Sequence, residues 1–132
     1  MSDIKSAAGA GDQANLDTVK KFLAAWTAKD FKPGPVVKQF LASDAVVRFT
    51  STMPPLSEMA SVIKTWEDFR ATGYTLDVKV HSAYARGPVV VVHRTDTAHT
   101  QGQPDADHHV VGFFAMKDGK IIEWTDYIIK PD

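Results

Sequence analysis

At Gly73 the apolar pattern of this chain changes period, and that change constrains the fold more than any other feature. Before it, apolar residues recur at steps of three and four: Leu16, Val19, Phe22, Leu23 and Trp26, then Met59, Val62, Ile63, Trp66 and Phe69. Such spacing lays one apolar stripe along a helix. After it, Leu76, Val78 and Val80 alternate with Asp77, Lys79 and His81, the two-residue period of a strand with one covered face. The breakers between these stretches set their bounds. A first helix is predicted over 15–29, ended by Phe31-Lys32-Pro33-Gly34-Pro35, where neither proline has an amide to donate. A short second helix is predicted from Pro35 to about Leu41, a strand over 44–51 closed by Met53-Pro54-Pro55, and a third helix capped by Ser57 and closed by Gly73. The alternating segment that follows runs to the turn Arg86-Gly87-Pro88. Strands over 89–100, 108–117 and 120–129 come after it, the last two joined by the hairpin signal Asp118-Gly119. Two helices, a strand, a helix and four consecutive strands predict an α+β domain: a curved, mostly antiparallel sheet covered on one face by three helices, a cone around a pocket.

The 132 residues support a single core, predicted as one domain over 13–132 behind a small, polar tail at 1–12 that is expected to be mobile. Fifteen Lys and Arg against sixteen Asp and Glu leave a net charge of −1, so nothing points to nucleic acid or an anionic membrane as partner. The absence of cysteine excludes disulfides, thiolate nucleophiles and Cys-based zinc sites. No apolar run is long enough to span a bilayer, and the N-terminus lacks the apolar region of a secretory signal, so a cytoplasmic location is expected. His108 and His109 are neighbours, but on a strand they point to opposite faces and cannot share an ion. No metal and no cofactor is expected, and neither a phosphate-cradling glycine loop nor a Gly-x-Ser-x-Gly elbow is present.

The informative oddity is charge placed on apolar strand faces. In 89–100, one face carries Val90, Val92, Arg94, Asp96 and Ala98, and the other His93, Thr95 and Thr97. In the last strand, Ile122, Trp124, Asp126 and Ile128 share a face opposite Glu123, Thr125 and Tyr127. A lone ionised carboxylate among such residues would cost several kcal/mol, so it needs a cationic or hydrogen-bonding partner. Arg94 is the candidate to bridge Asp96 and Asp126. Two carboxylates close together in a partly dry pocket cannot both keep ordinary pKa values, which suits one to give and the other to take a proton. A structural ion-pair network meets the same demands.

These residues resemble the limonene-1,2-epoxide hydrolase family, within the wider SnoaL-like, nuclear transport factor 2-like group. The likeness lies in Arg94-Thr95-Asp96 and in Gly112-Phe113-Phe114…Asp118-Gly119-Lys120-Ile121…Trp124-Thr125-Asp126-Tyr127, and it covers most of the chain after the tail. The resemblance implies a cone-shaped fold and a cofactor-independent site. In that site Asp126 deprotonates water, Asp96 protonates the epoxide oxygen, Arg94 bridges both, and no covalent intermediate forms. The chain departs from the family at Thr50-Ser51-Thr52-Met53-Pro54, where Thr50 and Thr52 stand for the Tyr and Asn that orient the water. Threonine hydroxyls bind water but are shorter and lack the amide's two donors.

Substrate contacts are expected from Thr50, Thr52, Trp66 and Phe69 of the roofing helix, and from His108, Val110 and Ile128 on the inner strand faces. Phe22, Trp26 and Trp124 are expected to be core. His108, where the family has an apolar residue, suits either a further acid/base group or an ordinary wall residue. Three functions stay open: an epoxide-opening hydrolase acting on a small apolar oxygenated molecule; an isomerase, dehydratase, cyclase or lyase moving a proton on such a molecule; and a non-catalytic ligand-binding module. The family commonly dimerises through the outer sheet face, and a homodimer is expected here.

Overall fold

The computed structural model describes residues 10–129. Helix α1 spans Ala10–Ala25, α2 Pro33–Phe40 and α3 Met59–Ala71, while the strands are β1 Leu41–Arg48, β2 Thr75–Arg86, β3 Val89–His99, β4 Ala106–Lys117 and β5 Lys120–Ile129. The strands form one sheet in the order β1-β5-β4-β3-β2, with β1 parallel to β5 and the other pairs antiparallel. The α+β order read from the sequence is the observed one, and the curved sheet remains open.

Several bounds differ. α1 begins five residues before the predicted Asn15, taking in residues 10–12 of the expected tail; the rest of that tail lies outside the described residues. It also stops at Ala25 rather than Lys29. α2 starts at Pro33, which serves as a first-turn residue because its missing amide is one that a helix start leaves unpaired anyway. β1 runs 41–48, three residues earlier than predicted, directly out of α2. Glu58, not Ser57, is the N-cap of α3, and it makes no side-chain capping bond. The β4–β5 hairpin turns at Asp118-Gly119 with φ of 52° and 78°, the pair of positive values that a twisted two-residue hairpin requires.

The core lies between the helices and the concave face of the sheet. Val19, Phe22 and Leu23 of α1, Val37 of α2 and Val62 of α3 meet Val90, Val92, Phe114 and Trp124 of the sheet. Phe22 is the hub: its ring centroid lies 5.2 Å from those of Trp26 and Trp124, 5.5 Å from Phe40, 6.2 Å from Trp66 and 6.3 Å from Phe114. All but the tilted Phe40 pair are edge-on, and aromatic pairs of this kind add about 0.5–1.5 kcal/mol each beyond area burial. The sequence placed Ile122 on the inner face. A bulge between Ala115 and Met116 shifts the β4–β5 register there, and the fully buried residue is Ile121. One extra residue in a ladder reverses the facing of its neighbours. Beyond the bulge Trp124 and Asp126 face inward, and Thr125 between them, read from the sequence as outward, is buried as well.

Candidate active site

Inner-face positions of three neighbouring strands converge on one charged cluster. Arg94 and Asp96 are two apart on β3, while Asp126 on β5 pairs with Gly112 of β4. Arg94 Nε and Nη2 donate to the two oxygens of Asp96 at 2.8 and 3.1 Å, and Nη2 also donates to Asp126 Oδ2 at 2.6 Å. Asp126 Oδ1 accepts from Trp124 Nε1 at 2.9 Å. Arg94 is wholly buried, and the two carboxyl groups are nearly so. Its guanidinium carbon sits 5.1 Å from the Trp26 ring centroid.

The bridge crosses β4, and what lets it cross is a missing side chain. A Cβ built on Gly112 would lie 2.5 Å from Arg94 Nη1 and 3.1 Å from Asp126 Oδ1. Glycine is therefore demanded by close approach, not by backbone angle. In the sequence Gly112 falls within the stretch that carries the resemblance, on one strand face with His108, Val110 and Phe114, and nothing there assigns it a role. Its signal was available, because a glycine flanked by Val110 and Phe114 on an inner face leaves a gap in an otherwise bulky row.

Burial pushes the Asp126 carboxyl above the ordinary carboxylate range, while the Arg94 charge and the hydrogen bonds from Arg94 and Trp124 oppose the rise. Arg94 is held protonated above its ordinary value by the two carboxylates, against the effect of burial. A raised pKa makes the ionised form of Asp126 a stronger base than a free carboxylate.

Above the cluster lies a cavity of about 190 Å³. Asp96 and Asp126 contribute to its wall, together with Thr50, Trp66, Phe69, His108, Val110 and Ile128 as anticipated. Thr52 is not part of the wall; its hydroxyl lies 3.3 Å from that of Thr50. Arg94 stands behind the two carboxylates and does not reach the cavity surface. His108 pairs with Asp96 across β3–β4, so it stands beside the carboxyl group on the same face. Trp26 and Trp124, read from the sequence as core, are buried but also line the cavity, so all three tryptophans of the chain touch it. Phe22 is core only. Phe49, Tyr74 and Leu76 were not anticipated. Leu76 continues the inner-face alternation of β2, a signal present in the sequence. Phe49 continues the inward alternation of Ala45 and Val47 just past β1, a signal also present in the sequence, while Tyr74 lies between α3 and β2 and no periodicity marks it.

Among the described residues no group of three or more His, Cys, Asp or Glu is arranged to hold a metal ion, and no helix is long and apolar enough to cross a membrane.

The sequence profile of the SnoaL-like domain family matches residues 19–124. Among solved structures, an LEH-like epoxide hydrolase from M. tuberculosis superposes with a TM-score of 0.76 at 24% identity, over 89% of this chain and 84% of that one. A candidate SnoaL-like polyketide cyclase from Jannaschia sp. CCS1 gives 0.78 at 21% identity, over 92% and 89%. A candidate ketosteroid isomerase from Kribbella flavida gives 0.71 at 14% identity, over 92% and 82%. The nuclear transport factor 2-like fold is common to them. The comparison with curated proteins finds no match.

Proposed function

The chain belongs to the SnoaL-like domain family, and on that footing we propose that it is a cofactor-independent acid/base enzyme that opens the epoxide of a small apolar molecule with water. The observation that carries the proposal is the pairing of two carboxyl groups on one buried guanidinium at the floor of a largely aromatic cavity. Asp126, as general base, takes a proton from water, whose oxygen attacks an epoxide carbon. The carbon–oxygen bond breaks and Asp96, as general acid, protonates the departing oxygen, giving a vicinal diol. Solvent then returns the proton from Asp126 to Asp96. Arg94 holds the two groups in place and offsets the charge that passes between them. A cavity of about 190 Å³ is smaller than the roughly 300–1,000 Å³ typical of drug-sized ligands, which fits a small, compact substrate.

One observation favours a second reading. Only one of the two threonines at the family's water-orienting positions reaches the cavity. An isomerase, dehydratase, cyclase or lyase would use the same carboxyl groups, with His108 beside Asp96, to move a proton on the substrate without adding water.

Turnover of cyclic and terpene epoxides in ¹⁸O-labelled water separates the readings. Hydrolysis places one label in the diol; proton transfer gives exchange of substrate C–H for deuterium and no diol. Asp96→Asn and Asp126→Asn each lower kcat by about two orders of magnitude or more, the usual scale of losing a general acid or base. Wild-type rates in either variant would remove both assignments. If neither epoxide turnover nor C–H exchange is found in the wild type, a non-catalytic ligand-binding role takes their place.

A further inference from the structure

Apart from the acid Asp96 and the exposed His108 in the wall, the floor of the cavity is rich in acceptors and short of free donors. Arg94 Nε and Nη2 and Trp124 Nε1 are all committed to the two carboxylates. Arg94 Nη1 and Trp26 Nε1 have no partner but are sealed from solvent. Thr50 already faces the hydroxyl of Thr52. An uncharged substrate oxygen needs a donor to fix which of its ends faces the acid.

Tyr74 meets that need. It follows α3 and immediately precedes β2, two residues before Leu76, whose side chain is in the cavity wall. Its ring packs against Phe69 at 6.1 Å between centroids, and it lines the same cavity as both carboxyl groups. The hydroxyl makes no hydrogen bond with another described residue. The other two tyrosines, Tyr84 and Tyr127, are about half exposed and outside the cavity. Resting on the epoxide-opening reading for the identity of the oxygen, we propose that Tyr74, from the α3–β2 connection, donates a hydrogen bond to the substrate oxygen. Burial first, and the negative charges of Asp96 and then Asp126 next, push the phenol up to about 12, so it keeps its proton wherever the carboxylates work.

The three cavity tryptophans make occupancy readable by intrinsic fluorescence, without turnover. Cyclohexene oxide and cyclohexene, alike in shape and differing in one oxygen, are titrated into the wild type and Tyr74→Phe, which keeps the ring that packs on Phe69. Tyr84→Phe serves as the surface control. The expected result is tighter binding of the oxide than of cyclohexene by the wild type. In Tyr74→Phe the oxide binds about three- to tenfold more weakly, the scale of one neutral hydrogen bond, while cyclohexene binds as before. Equal binding of the oxide by wild type and Tyr74→Phe overturns the proposal. So does an equal loss for both ligands, including loss through failure to fold, since the ring would then matter only as wall. A wild type that does not prefer the oxide overturns it too. Diol formation is scored separately. Oxide selectivity lost in Tyr74→Phe without any wild-type diol removes hydrolysis and leaves the donor; diol formed equally by both proteins with unchanged binding removes the donor and leaves hydrolysis.

Discussion

Asp126 is the residue at which burial and function pull on one proton. The hydrophobic surroundings raise its pKa, and its donors, Arg94 and Trp124, restrain the rise without reversing it. Two consequences follow with opposite signs for stability and activity. A raised folded pKa means that the folded state holds the proton more tightly. The stability from this group is therefore complete below the unfolded carboxylate value of about 3.9 and is lost as pH climbs through the raised folded value. Activity runs the other way, because the base must be ionised. The acid limb of kcat/KM is expected above about 3.9, and a pH–rate profile with its limb at or below that value would take the base role from Asp126. Arg94 is the counterpart. Arg94→Leu is expected to destabilise by about 3–5 kcal/mol in urea unfolding, because it leaves two buried carboxyl groups without their cation. A loss under 1 kcal/mol would mean that the pair is far wetter than the geometry indicates.

At the scale of elements, the site depends on how neighbouring strands register. β4 separates Arg94 from Asp126, and Gly112 is the point where the guanidinium passes over it. Gly112→Ala is expected to push that group off Asp126, costing about 1–3 kcal/mol as overpacked cores do, with a larger effect on kcat than on KM. Unchanged stability and rate together would show that the guanidinium has room to move. At the end of the sheet near Gln101–Asp105, His99 holds β2 and the β3–β4 connection together. Its Nε2 lies 2.7 Å from Asp77 Oδ2 and its Nδ1 2.8 Å from Asp105 Oδ1. With a carboxylate on each ring nitrogen, the doubly protonated ring is favoured, and its pKa is raised by Asp105 first and then Asp77. The clip is fully present below the ordinary histidine value of about 6.5 and opens as pH rises through the raised one. NMR titration of His99 is expected to give a midpoint above that ordinary value, and Asp105→Asn to bring it down; a midpoint unmoved by the substitution would dismiss the clip.

For the whole molecule, the helices pack on the concave face and leave the convex face uncovered. That face carries Tyr127 and Ile129 of β5, 47% and 53% exposed. A symmetric pair of chains meeting there is the assembly we propose, in keeping with the expected homodimer. Sedimentation equilibrium is expected to give twice the chain mass, and Tyr127→Lys with Ile129→Lys to give the monomer. A wild-type monomer at micromolar concentration would dispose of that interface.

Most of the architecture could be read in the chain because it rests on local periodicity. The three-and-four stripes of α1 and α3, the alternation of β2 and β3, and Asp118-Gly119 each report a backbone preference that acts within a few residues. The same alternation put Arg94, Asp96 and Asp126 on inner faces before any partner was known. Element ends were less legible: Pro33 fits equally well as a breaker or as a first-turn residue, and the bulge that exchanges Ile122 for Ile121 is set by pairing with β4. What the sequence determined alone was the facing of side chains along uninterrupted helices and strands, since that follows from 3.6 and 2 residues per repeat. Only the tertiary structure decided which faced residues touch. The passage over Gly112, the withdrawal of Thr52 from the cavity, and the arrival of Trp26 and Tyr74 at its wall all depend on distances between segments far apart in the chain, which no local pattern encodes.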